Sequence, residues 1–291
     1  MKKIKKIFGE INLTWSKLVI FAVIAGVYTA LMTLIPILKD TSFHDIAVTF
    51  EVWILFGIII IMNSKSAVDS ALKCFVFFLI SQPLVYLIQV PFNSLGFGIF
   101  IYYKYWFICT LITIPMGFIG YYIKNDKWWG ILIITPMLLL LGAGSYYTYL
   151  EEMLFNFPYH LLTTLFCLIT ILLYPLCLFN NKKNKIISFT ISILIVAFLT
   201  TLAFTNRKTY NATLLASGSI ENIIFNENCN VYLEKDLGEV YIRYEEGIED
   251  YLIEGNFKKA GKTNLILVDE NGNKTVFELK VETDTFELNE K

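Results

Sequence analysis

Histidine is nearly missing from this chain of 291 residues: His44 and His160 are its only two. A histidine-ligated metal centre is therefore not expected. The five cysteines (Cys74, Cys109, Cys167, Cys177 and Cys229) are scattered, four in apolar stretches and one alone in a polar tail. That pattern excludes a disulfide framework or a cysteine metal site and suits small buried side chains. Charge is scarce too, at 17% of residues against 56% apolar, with a mean hydropathy of +0.58. An ordinary soluble protein does not have this composition. No G-x-S-x-G, H-E-x-x-H or Walker loop occurs, so an enzyme is the weaker class, and no catalytic residue, cofactor or nucleic-acid partner is expected. Proline is confined as well: all seven lie before residue 206.

The last absence marks a boundary. Residues 1–205 carry 14 Lys/Arg against 8 Asp/Glu, a net of +6, whereas residues 206–291 carry 10 against 17, a net of −7. Two physical classes are joined near Asn206. In the first part, seven apolar stretches approach the length needed to cross ~30 Å of hydrocarbon. They are predicted at Leu18–Leu38, Ile46–Asn63, Ala71–Phe92, Tyr105–Ile123, Trp128–Tyr147, Tyr159–Phe179 and Ile186–Phe204. The second is short and is interrupted by Glu51.

Lysine placement orients these spans. Lys2, Lys3, Lys5 and Lys6 precede the first, and alternate loops hold Lys65, Lys73, Lys124, Lys127, Lys182, Lys183 and Lys185. The intervening loops hold only Lys39 and Lys104. The expectation is a multi-pass cell-membrane protein with a cytoplasmic amino terminus and, after seven crossings, an extracytoplasmic tail. Richness in Ile, Lys, Asn and Phe suggests an AT-rich bacterial source.

Topology sorts the polar groups within the spans by depth. Gln82 falls near mid-membrane and Gln89 near the outer face, and helical spacing puts Gln82, Tyr86 and Gln89 on one stripe. Glu51 lies about a turn and a half below the outer surface, and His160 starts the sixth span just after Pro158. All five are candidates for an outward-facing pocket. The plainer reading of the glutamines and tyrosine is interhelical hydrogen bonding. Glu51 is the sharper case, since an ionisable group within a span is by default a functional one, although snorkelling to the headgroups also explains it.

From about Ala216 the pattern changes to short alternating runs typical of strands: SIENIIFN, NVYLEK, EVYIRYEE, EDYLIEG, TNLILVDE and KTVFELKVE. Asn271-Gly272 signals a hairpin turn between the last two, because both residues tolerate positive φ. Phe277 and Leu279 should pack with Leu265 and Leu267, leaving Glu278 and Lys280 wet. The stretch GKTNLILVDENGNKTVFELKVE resembles the closing hairpin of bacterial Ig-like domains. That resemblance covers about the last 75 residues and implies an extracytoplasmic β-sandwich that acts as spacer or recognition module.

The first span carries Ala22, Gly26 and Ala30 at four-residue spacing, a ridge that admits close approach of another helix, in this chain or in a membrane-protein partner. This helix and the short-looped spans after it resemble the substrate-binding component of energy-coupling-factor vitamin transporters, over residues 15–180 at most. The resemblance implies a partner membrane subunit on the small-residue ridge and an outward pocket for a micronutrient. A seventh span and an outer β domain depart from that family. Two main function classes follow. The first is a non-enzymatic envelope protein whose outer domain engages a partner, matrix or signal. The second is a solute-binding or transport component with a pocket near Glu51, Gln82, Tyr86, Gln89 and His160. A membrane-embedded enzyme comes third.

Overall fold

The structure, a computed structural model, describes residues 7–38, 41–220 and 223–291. The chain divides into two compact units, Met1–Tyr149 with Leu161–Thr201, and Leu150–His160 with Leu202–Lys291. The composition boundary at Asn206 lies close to the last cut, between Thr201 and Leu202. The segment Leu150–His160, expected within the membrane part, instead groups with the strands.

The first unit is helical. Its helices are α1 (Trp15–Leu34), α2 (Ser42–Val48), α3 (Phe50–Met62), α4 (Ala67–Gln89), α5 (Phe100–Gly120), α6 (Trp129–Leu141), α7 (Tyr147–Phe155), α8 (Leu161–Leu178) and α9 (Lys182–Thr205), the last residues of α7 and α9 belonging to the second unit. Among the described residues, six helical stretches are long and apolar enough to cross a membrane: α1, α4 with its end to Phe92, Gly96–Asn125, Trp129–Phe155, α8 and α9. The predicted second span is not one helix. It is α2 and α3, bent by 47° at Thr49.

Small residues set the helix spacing. Ala22, Gly26 and Ala30 are all buried, and a Cβ on Gly26 would lie 2.7 Å from the Ser81 carbonyl and 3.3 Å from Leu84. The ridge read from the sequence is thus covered by α4 of the same chain. Gly117 plays the corresponding part between α5 and α4, where the Ser70 hydroxyl donates to its carbonyl at 2.8 Å. Between α1, α3 and α4 the core is aromatic: Phe21, Trp53, Phe56, Phe77 and Phe78 meet mainly edge to face, at centroid separations of 4.9–6.4 Å. Helix α4 runs through Pro83 without a break and passes near Pro91 into one 3₁₀ turn, Val90–Phe92.

Among the described residues, the second unit holds seven strands in two antiparallel sheets. Strands β1 (Tyr210–Ala216), β4 (Asp250–Phe257) and β3 (Gly238–Glu245) form one, in the order β1-β4-β3. The other is β2 (Asn230–Leu233), β5 (Gly261–Val268), β6 (Lys274–Val281) and β7 (Phe286–Glu290). One apolar core takes Leu214, Ile253 and Phe257 from the first sheet and Leu265, Leu267, Phe277 and Leu279 from the second. In β6 the expected faces are found: Phe277 sits opposite Leu265, with Phe277 and Leu279 fully buried and Glu278 exposed.

Three details differ from expectation. The predicted strand SIENIIFN is a loop over its described residues, Glu221 and Asn222 lying outside them. Its Ile223 and Phe225 plug the core, while Ser217 Oγ accepts from Phe225 N at 3.0 Å and donates to its carbonyl at 2.9 Å. A side chain thus takes backbone bonds that a neighbouring strand would have taken. The first strand lies earlier, at β1, where a bulge between Thr213 and Leu215 lets Leu214 and Leu215 both be buried. At the hairpin only Gly272 has positive φ (84°). The turn is built on Asp269, whose carboxylate accepts from the backbone of Asn271 and Asn273.

Candidate functional site

The bend between α2 and α3 sets two carboxyl groups in the interior of the first unit. Thr49 has an extended backbone (φ −65°, ψ 152°) that ends α2, and α3 begins at the next residue. Asp45 lies midway along the short α2 and Glu51 in the first turn of α3. Asp45 is buried, and the Thr163 hydroxyl donates to its Oδ2 at 3.0 Å; Thr163 N also reaches Ser42 Oγ at 3.4 Å. Glu51 is 0% exposed, and among the described residues neither carboxyl oxygen has a hydrogen-bond partner.

Two further elements close around Glu51. Helix α8 presents Thr163, Cys167, Thr170 and Tyr174 inward, all buried and separated by four, three and four residues, which is one helical stripe. The other is a π-helical turn, Gly142–Tyr146, between α6 and α7; it buries Ser145 and Tyr146. Gly142 makes room for this turn, since a Cβ there would lie 2.8 Å from Leu199, and the Tyr146 hydroxyl shares a 2.8 Å hydrogen bond with Thr200. Ser145 and Cys167 face the Glu51 carboxyl closely enough to act on its charge, although neither meets hydrogen-bond geometry. Tyr174 lies within electrostatic reach of Glu51, and its buried hydroxyl has no hydrogen-bond partner among the described residues.

Chemically, this is an acidic centre lined by hydroxyls and a thiol, with a helix break on one side and a π turn on another. Such turns widen a helix locally and recur at functional sites. A bare carboxylate in an apolar interior is costly; a proton or a cation relieves the cost. Among the described residues no group of three or more His, Cys, Asp or Glu side chains has the arrangement of a metal site.

The other residues expected to line one pocket each have surroundings of their own. The Gln89 amide donates to Thr33 Oγ1 of α1 at 3.1 Å, which is interhelical bonding. Tyr86 turns to the other side, packing on Phe100 and Tyr103 at 6.0 and 5.9 Å. Gln82 is buried, with its Nε2 lacking a partner. His160 has a left-handed backbone (φ 62°) and belongs to the second unit. Glu51 alone of the five stands in the acidic centre. Asp45, Ser145, Thr163, Cys167 and Tyr174 were not singled out from the sequence. The signal was the polar stripe of α8, four hydrogen-bonding side chains at helical spacing within a span that is otherwise almost wholly apolar. No protein-family model, curated protein or solved structure matches this chain.

Proposed function

We propose that the protein is a solute-handling component of the cell membrane whose bundle binds a proton or small monovalent cation at Glu51. One observation carries this reading: Glu51 is wholly enclosed within apolar helices, and among the described residues neither of its oxygens has a hydrogen-bonding partner. Such a group is expensive to keep unless it is used. Asp45, held by Thr163, adds a second buried carboxyl group to the same unit, and the Thr49 break gives the helix pair a place to flex. The alternation of lysines supports a seven-crossing arrangement, with the α2–α3 pair as one crossing, the amino terminus cytoplasmic and an Ig-like β-sandwich outside.

A hydrophobic carbodiimide tests the site, because it modifies protonated carboxyls within membranes. In proteoliposomes, mass spectrometry should find the adduct on Glu51. Labelling should slow as pH rises or as sodium is added, and disappear in Glu51→Gln. Ion flux driven by a pH or sodium gradient should disappear with it. No adduct at Glu51 between pH 5 and 9, together with flux unchanged in Glu51→Gln, overturns the reading.

A second reading, recognition of an extracytoplasmic partner by the β domain without enzymatic chemistry, is favoured by Tyr241 and Tyr244, each about half exposed on β3 beside Arg243. Tyrosine and arginine are enriched where proteins meet. A photocrosslinking residue at position 241 of the full chain should give a discrete adduct in cells; a smear equal to that from position 274 counts against it.

A further inference from the structure

The β domain is acidic, with 17 Asp/Glu against 10 Lys/Arg over residues 206–291, yet three of its cations collect at one spot. A cavity of about 440 Å³ opens among the end of α9, the segment that follows it and the β4–β5 turn. Arg207, Lys258 and Lys259 line it against a single acid, Asp236. Its apolar walls are Phe204 and Leu237.

The cations are held in place by backbone. Phe257, fully buried, ends β4, and the next two amides both donate to the Leu237 carbonyl, Lys258 N at 2.8 Å and Lys259 N at 3.2 Å. Elsewhere the domain pairs many of its cations with carboxylates: Lys208 with Asp284, Arg243 with Glu254, Lys280 with Glu282. At the cavity Lys258 pairs with Glu239 at 2.9 Å. Among the described residues no carboxylate pairs with Arg207 or Lys259, and the Arg207 guanidinium rests over the Phe204 ring at 6.0 Å. Arg207 stands two residues beyond the end of α9. If α9 crosses the bilayer, as the functional reading above requires, Arg207 stands just past its end, within reach of lipid headgroups.

We propose that this cavity binds the phosphate of an anionic phospholipid headgroup. Arg207 and Lys259 hold the phosphate, a guanidinium fork being well matched to its oxygens. Phe204 and Leu237 cover the glycerol, and the phosphate offsets the local excess of positive charge.

Native mass spectrometry of the full chain, released from nanodiscs of equal phosphatidylglycerol and phosphatidylcholine, tests this. The wild type should retain phosphatidylglycerol at least several-fold over phosphatidylcholine. The double variant Arg207→Gln/Lys259→Gln should lose that preference. Lys274→Gln, a cation at the opposite end of β6 from the Gly261 pairing, should keep it. Equal retention of both lipids by the wild type, or an unchanged preference in the double variant, overturns the proposal. So does release of the lipid by millimolar inorganic phosphate, which would assign the site to a free anion. Labelling of Arg207→Cys in intact cells by a membrane-impermeant maleimide, compared with the unsubstituted chain, checks the membrane placement separately.

Discussion

The contact between Thr163 and Asp45 joins two elements 118 residues apart in sequence through one hydroxyl. Thr163→Val keeps the shape and removes the donor, so a buried acceptor loses that bond. The expected loss is about 1–3 kcal/mol, measured by unfolding in mixed micelles. Gln89→Leu should cost less, about 0.6–1.7 kcal/mol, because intramembrane hydrogen bonds of this kind average low. In the β domain, the Asn273 side chain and nearby backbone amides hold the Asp269 carboxyl below its ordinary value of 3.8. A depressed carboxyl stabilises the fold above its unfolded value, and that contribution fades as pH falls through the folded one. The hairpin should therefore weaken below about pH 4, and Asp269→Ala should flatten this acid dependence in a thermal-melt series. Glu51 was legible because a charge in an apolar run is anomalous on its own. Cys167, Ser145 and Tyr174 are each ordinary in a membrane helix; only the fold makes them a group. Gln82, Tyr86 and Gln89 do share a rough stripe, but α4 has neighbours on both sides, and the stripe is wide enough to be divided between them.

Helices are where the sequence spoke most clearly, since a long apolar run admits few alternatives to a span. What it left out is the break. Thr49 carries no proline or glycine signal, yet its backbone is extended and the two short helices meet there at 47°. Glycines were legible as a ridge, without the identity of the covering helix. That identity gives a contrast. Gly26→Ala should destabilise by about 1–3 kcal/mol, since its Cβ would press on the Ser81 carbonyl. Gly57→Ala, with nothing within 4 Å of its Cβ, should be neutral or stabilising by about 0.5–1 kcal/mol. Both are read by the same unfolding titration. Among the strands, β2 to β6 follow from alternation. The apolar run before them reads as a strand in sequence because a core plug and a strand share composition, and Ser217 supplies the backbone bonds that make the plug tenable. Strand β7 pairs with β6 despite its three polar or charged residues, Glu287, Asn289 and Glu290. An edge strand needs few apolar positions, so alternation hardly marks it.

For the whole molecule, side of insertion is the first thing to measure. Protease added to intact cells should remove the β strands and leave the helices, and a tail that stays intact until the cells are lysed reverses the orientation. The contrast between a net of +6 before Asn206 and −7 after it was legible because composition alone separates an apolar helical part from a polar stranded one. The full extent of the β domain was not, because its core includes Phe155, which is 2% exposed and lies more than fifty residues before β1. The Phe155 carbonyl also accepts from Ala260 N at 2.8 Å. The domain is therefore not a cassette. A ribosome that has finished α9 has already delivered one of the domain's core side chains, on the far side of α8 and α9 in chain order. Residues 206–291 expressed alone, or grafted onto another anchor, would lack Phe155, and removing a buried phenylalanine typically costs about 3–5 kcal/mol. Any exchange of this domain between membrane proteins would have to carry Leu150–His160 along with it.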